Sequence, residues 1–352
     1  MNYKEKTMQN IIKKLSDLRG ASGHEYRINN EIAEMFRPYC DDVRIDALGS
    51  VIAEKKCGKE NAPKIMLEAH MDEIGLVVTS ITEEGYIYFS NLGGVDPRIL
   101  PSSEVTIHGK EDVYGVVGMP PSSVFGTEKS YKLKDMAIDT GLDAKTVKSL
   151  ISVGDSITLP QSVGELGSGQ FSAKTMDDRA SVAAILKVMQ DIQDCDLNCD
   201  IYAVAAVMEE VGCRGGKTTS FGIMPDMAIA IDVTHGITPD NSENAIEVGS
   251  GTAMSKGPNI HPKLVERLEK TAIDNEIPYT VEIDGGATGT DAWEIQVSGA
   301  GIPVALMSIP LKYMHTSVET LAISDVSDTV KVITEFVKGL EGDTKWLSLW
   351  TD

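Results

Sequence analysis

Apolar residues recur along this chain with two different periods. Near the start, Ile11, Ile12, Leu15 and Leu18 fall at helical spacing, with Lys13, Lys14 and Asp17 on the other side and Gly20 closing the helix. Residues 21–25 read as a turn with capping chemistry. Ile28, Ile32, Met35 and Phe36 mark a second helix, and 43–55 reads as extended with a turn at Gly49. Residues 64–70 form a short strand. Further on come charge-free runs at 201–207, 227–231 and 302–309. Such a run reads as a strand buried on both faces, as in the middle of a parallel or mixed sheet. Helical patterns lie between them. Val182, Ile185, Leu186 and Met189 line one helix, and Leu264, Val265, Leu268 and Ile273 a second. Residues 326–340 close the chain with a third.

From Leu76 to about Pro160 the pattern is different. Short β-prone pieces at 76–78, 86–89, 105–108, 113–117 and 156–159 are separated by Gly, Asn, Asp or Pro, with one helix at 143–150 and a loop at 120–123. The α/β pattern resumes afterwards. We therefore expect an α/β protein with a mixed central sheet and helices on both faces, interrupted by a small β-rich insert. The boundaries are 1–74 and 163–352 for the main domain and 75–162 for the insert. Inserted modules serve assembly or cover a site.

Composition narrows the partners. The chain has 352 residues, 42% hydrophobic, with a formal net charge of -21. That charge repels phosphate backbones and anionic membranes, so neither nucleic acid nor membrane is expected as a partner. The cysteine count of 5 is odd and contains no CxxC pair, which favours reduced buried thiols over a disulfide framework. Cys195 and Cys199 lack a second pair to complete a metal site. No apolar leader follows Met1 and no run is long enough to span a bilayer, so the expected compartment is the cytoplasm.

Chemistry gathers where apolar runs end. The 201–207 run is followed by Met208 and then by adjacent carboxylates, Glu209 and Glu210, before Gly212, Gly215 and Gly216 turn the chain. Ligands in open α/β sheets bind beyond the carboxyl ends of strands. Two acids there are either solvated at a loop entrance or meet a cation or a proton. His70 ends its strand, and Asp72, two residues on, points to the same side in extended chain. Asp177 and Asp178 precede a helix, either as caps or with Asp177 free to bind a metal while Arg179 pairs with Asp178. Asp232 ends the 227–231 run, and His315 follows the last strand. The 285–291 stretch reads as a flexible loop, with glycine spacing wrong for a phosphate loop. His70, Asp177, Glu210, Asp232 and His315 are thus candidate ligands. Imidazole and carboxylate without thiolate suit zinc, cobalt or manganese. Glu209, beside a ligand, suits a proton-transfer role.

In their order and spacing, 68–75 (EAHMDEIG), 176–179 (MDDR), 209–212 (EEVG), 230–233 (AIDV), 289–292 (GTDA) and 313–315 (YMH) resemble the M42 aminopeptidases. The resemblance spans most of the chain. It implies two divalent metal ions, one held by His70, Asp177 and Asp232 and the other by Asp177, Glu210 and His315. It implies Glu209 as general base and acid, Asp72 orienting His70, and a cis bond between Asp177 and Asp178. The insert would be a PDZ-like or small-barrel dimerisation domain. The subunits would build a hollow dodecamer that admits short peptides and removes their N-terminal residues. This chain departs from the family pattern at Ser181, where glycine is usual, at Thr316-Ser317, where Ser-Pro is common, and at Lys312, where arginine is common.

Two other functions compete. An endoglucanase-type glycoside hydrolase needs flanking carboxylates, and usually aromatic platforms, yet aromatic content is only 5% and the histidines would lack a task. A non-catalytic metal-binding assembly protein would be favoured if Glu209 or a ligand were missing. Arg98 and Lys312 were weighed as cations favouring acidic substrate residues, against a reading as ordinary surface or packing groups.

Overall fold

A computed structural model describes residues 3–119, 132–160, 163–241 and 245–350; the 120–123 loop lies outside the described residues. Helices α1 (Tyr3–Asp17) and α2 (Asn29–Phe36) come first, then strands β1 (Asp42–Ile45), β2 (Val51–Lys55) and β3 (Lys64–His70). Strands β4 (Gly75–Ile81), β5 (Ile87–Leu92), β6 (Glu104–His108), β7 (Asp112–Gly118), β8 (Ala137–Asp139) and β9 (Ser156–Thr158) follow, with α3 (Ala144–Leu150) before β9. These strands close a barrel in the order β4-β5-β8-β7-β6-β9. The barrel has its own core, with Leu76, Ile87, Val105, Ile107, Ile138 and Ile157 among its residues. Burial alternates strictly along β7, the period-two pattern of a sheet with one wet face.

After the barrel come β10 (Val163–Glu165), β11 (Gln170–Ala173), α4 (Met176–Asp191), β12 (Asp200–Ala206), α5 (Arg214–Ile223) and β13 (Met227–His235). Then follow β14 (Thr252–Lys256), α6 (Pro262–Asp274), β15 (Tyr279–Ile283), α7 (Asp291–Gln296), β16 (Val304–Leu311), β17 (Glu319–Ala322) and α8 (Ile323–Lys338). The central sheet is 8-stranded, in the order β1-β2-β12-β3-β13-β16-β14-β15. β3 runs parallel to β12 and β13, and β13 parallel to β16, while β2 and β14 are antiparallel to their inner neighbours. These inner strands are buried on both faces because helices cover both. α4 lies against β3 and β13 with α1 and α8 packed on it, and α5 and α7 pack together against β3.

The fold is the mixed α/β architecture with a β-rich insert that the apolar pattern predicts, and the insert is a closed barrel, one of the two forms the resemblance implies. Several local readings need correction. Gly215 and Gly216 lie inside α5 rather than in a turn. A Cβ at Gly215 would sit 2.4 Å from the backbone N and O of Val207, so glycine lets the helix press directly on the strand end. Only Gly212, at φ +117°, serves as a turn residue there. Asp232 lies within β13, which continues to His235. The 285–291 stretch ends in a helix start, because Asp291 opens α7. Strands β8, β10, β11, β14 and β17 carry patterns too short or too polar to be read from the chain.

Candidate metal centre and active-site cavity

Strand register builds the site. His70 at the end of β3 pairs with Ala206 at the end of β12, and Met71 N donates to Ala206 O at 2.8 Å. The turns after these two strands therefore emerge side by side. Asp72, fully buried, ties them together. Its Oδ1 accepts from Glu209 N at 3.1 Å and its Oδ2 from Glu210 N at 3.3 Å, while Oδ1 lies 3.4 Å from His70 Nδ1.

A second buried carboxylate does the same on the other side. Glu319, at the start of β17, accepts from Asp177 N at 3.1 Å and from His315 N at 2.8 Å. Sequence reasoning passed over Glu319, because a lone acid four residues beyond His315 carries no local signal. The Asp177–Asp178 bond is cis, as the resemblance implies. Arg179 does not pair with Asp178. It is fully buried, donates to Met71 O and Leu15 O, and lies 3.8 Å from Glu73, which also takes Lys174 Nζ at 2.6 Å. Both carboxylate oxygens of Asp178 are left without a hydrogen-bond partner among the described residues.

Asp177 lies between two imidazoles. Its Oδ1 is 3.1 Å from His70 Nε2 and its Oδ2 is 3.3 Å from His315 Nε2. His315 Nε2 is also 3.3 Å from Glu210 Oε1, and Glu209 Oε2 lies 3.9 Å from His70 Nε2. Two sets of potential ligand atoms cluster within 4.8 Å: His70, Asp177 and Glu210, and His70, Asp178 and Asp232. His70, Asp177, Glu209, Glu210, Asp232 and His315 line one cavity of about 590 Å³. The structure thus brings together every ligand candidate and the candidate base.

The electrostatics of this cavity favour cations. Burial pushes the Asp232 carboxyl well up, and the charges of Asp177 and Glu209 add to it. Burial, then Asp232, does the same to Asp178, and Glu210 is also raised by burial. Burial works against ionisation of Asp177 too, but hydrogen bonds with His315 and His70 outweigh it and hold that carboxyl below its usual range. Among the described residues no lysine or arginine lines the cavity. Buried acids and imidazoles without a fixed cation are the donor set that hard and borderline divalent ions need. The residues present therefore fit two such ions.

The loop after β5 reaches into the centre from the barrel, a tertiary contact with no local signal in the chain. Gly94 O lies 3.2 Å from His315 Nδ1, and a Cβ at Gly94 would stand 2.5 Å from that nitrogen. Gly94→Ala should therefore displace the imidazole. We expect kcat/KM to fall by roughly 10²-fold, the cost of about 1 Å of misplacement. Steady-state kinetics on the metal-loaded variant checks this, and wild-type turnover would show that the loop does not hold His315.

Residues 49–332 match the family model described as M42 glutamyl aminopeptidase. A lysyl aminopeptidase of Pyrococcus furiosus is 34% identical over 340 residues, covering 94% of this chain and 97% of that protein. Among solved structures, an aminopeptidase from Desulfurococcus kamchatkensis superposes with a TM-score of 0.90 at 32% identity, covering 97% of each chain. The Pyrococcus horikoshii TET1 peptidase, described as assembling into a tetrahedron or a large octahedral shell, superposes with a TM-score of 0.84 at 30% identity, covering 95% of this chain and 100% of that one. A Thermotoga maritima structure described as an endoglucanase has a TM-score of 0.76 at 27% identity, covering 93% of this chain and 96% of that one.

Proposed function

The chain belongs to the M42 peptidase family of metal-dependent aminopeptidases, and from that premise we propose that it removes N-terminal residues from short peptides with a pair of divalent ions. His70, Asp177 and Asp232 would hold one ion, and Asp177, Glu210 and His315 the other. Zinc or cobalt, or else manganese, suits these ligands. When bound, the pair supplies a polarised peptide carbonyl and an acidified water. The observation that carries the reading is the Asp177 carboxylate set between His70 and His315, with Glu209 in the same cavity.

The protein's own groups then divide the work. Glu209 takes the proton of the attacking water at its carboxylate and returns it to the leaving amine. Burial first, then the charges of Asp291, Glu210 and Asp72, pushes its carboxyl up to about 8, while His70 opposes them. Divalent ions beside it would favour the carboxylate form, the one that accepts a proton. The Cys213 thiol donates to Glu209 Oε1 at 3.2 Å, which leaves Oε2 to face the cluster. Asp72 positions His70 and the backbone that carries both glutamates.

We assign residues 75–162 to subunit contacts, in dimers and then a dodecamer. The assembly described for the TET1 peptidase, a tetrahedron or a large octahedral shell, supports self-association as such. Among the described residues no helix is long and apolar enough to cross a membrane, and we place the enzyme in the cytoplasm. The endoglucanase-described relative favours a second reading. Against it, no tryptophan, tyrosine or phenylalanine lines the cavity among the described residues, so a sugar chain has no platform.

One experiment separates these readings. The protein is stripped with a chelator, reloaded with zinc, cobalt or manganese, and assayed on aminoacyl-arylamides and on soluble cellulose. Arylamide cleavage that disappears on stripping and returns with metal is expected, with cellulose untouched. Metal-loaded protein that never cleaves an amino-terminal amide would end the proposal.

A further inference from the structure

The cavity extends beyond the metal centre along β13. Thr234 stands two residues past Asp232, on the same side of the strand and about 7 Å further on. Its Oγ1 donates to Glu282 Oε1 at 2.6 Å, which draws that β15 carboxylate to the β13 wall. Asp284 follows in the same wall. Its backbone N donates to Lys256 O at 2.9 Å, and its Oδ2 is buried without a hydrogen-bond partner among the described residues. Thr288 and His235 complete this part of the lining.

This wall demands a cation. Glu282 is held above its usual range by burial, and by Asp284 beside it, with His235 opposing. Neither Arg98 nor Lys312 lines the cavity. Arg98 pairs with Asp96 with its side chain 80% exposed, and Lys312 Nζ lies 3.3 Å from Gln170 Oε1. Among the described residues an acidic substrate side chain would therefore meet two carboxylates, with His235 the one basic side chain in this part of the lining.

Resting on the aminopeptidase reading above, we infer that Glu282 and Asp284 form the pocket for the first side chain of the peptide and that it selects lysine and arginine over apolar and acidic residues. The flexible four-carbon stem of lysine carries its ammonium past the metal centre, where the Glu282 and Asp284 carboxylates of the lining can receive it. Arginine serves through the same charge with more donors.

The test uses matched carbon chains. Lysyl- and norleucyl-arylamides share a four-carbon side chain, to which lysine adds the terminal ammonium. On wild-type, metal-loaded enzyme we expect lysyl over norleucyl by roughly tenfold in kcat/KM, carried mainly by KM, with arginyl close to lysyl and glutamyl lowest. The lysyl-to-norleucyl ratio should fall toward unity in the Glu282→Gln/Asp284→Asn double variant. Glu282→Lys should raise glutamyl relative to lysyl. Equal or better use of norleucyl substrate by the wild type overturns the inference, as does a lysyl preference that survives in the double variant. Calorimetry of free lysine against norleucine on the wild-type, metal-loaded protein decides the pocket even if a variant misfolds. If no arylamide is cleaved, the aminopeptidase reading fails, while the lysine binding difference still judges the pocket.

Discussion

Glu209→Gln is expected to lower kcat by roughly 10²- to 10⁴-fold, the span attributed to a positioned acid–base group. KM and metal content should change little. The substitution is nearly isosteric, and the amide oxygen can still accept the Cys213 thiol that now bonds Oε1 at 3.2 Å. The backbone N of residue 209 can still donate to Asp72. What is lost is the ability to take up and return a proton. Burial makes the loss hard to replace, because Glu209 is only 9% exposed and bulk water has little access to serve as an alternative base. Metal analysis beside steady-state kinetics is the check. A variant with full metal and near-normal kcat would mean that proton transfer runs through another group.

Much of this site was legible in the chain because each ligand candidate sits close to a strand end or a helix start, where pattern and chemistry change together. His70 closes a short apolar-centred strand, Glu210 follows a charge-free run, and Asp177 opens a helix whose apolar face is plain. The sheet's core strands were legible for the same reason. What the chain did not reveal depends on tertiary approach. Glu319 gains its role only when β17 brings it beneath Asp177 and His315. Gly94 matters because a barrel loop passes within van der Waals distance of an imidazole 221 residues away. Gly215 and Gly216 looked like turn residues because glycine marks turns and close approaches alike. Here the approach is of α5 to the end of β12 and to Asp291. Arg179 was misassigned because sequence adjacency suggested Asp178, while the fold buries the guanidinium against Glu73 and the carbonyls of Met71 and Leu15.

Asp177→Asn is expected to remove both metal ions from each chain, and with them activity, by at least the 10²- to 10⁴-fold expected for Glu209. The argument rests on position. One Asp177 oxygen faces His70 and the other faces His315 at 3.1 and 3.3 Å, so neutralising this one carboxylate weakens both halves of the centre. Asn keeps the shape and the backbone N–H that donates to Glu319. A folded protein with an emptied centre is therefore the expected product, with far-UV dichroism unchanged. Asp178→Asn sharpens the test. Asp178 groups with His70 and Asp232 in the clustered ligand atoms, yet its carboxyl is fully buried and pushed well up by burial and by Asp232. If Asp177 bridges, Asp178→Asn keeps about two ions per chain and Asp177→Asn keeps none. If each aspartate serves one ion, each variant keeps about one, and the shared-carboxylate arrangement is wrong. Elemental analysis of the two purified variants beside the wild type separates these outcomes without reference to any substrate.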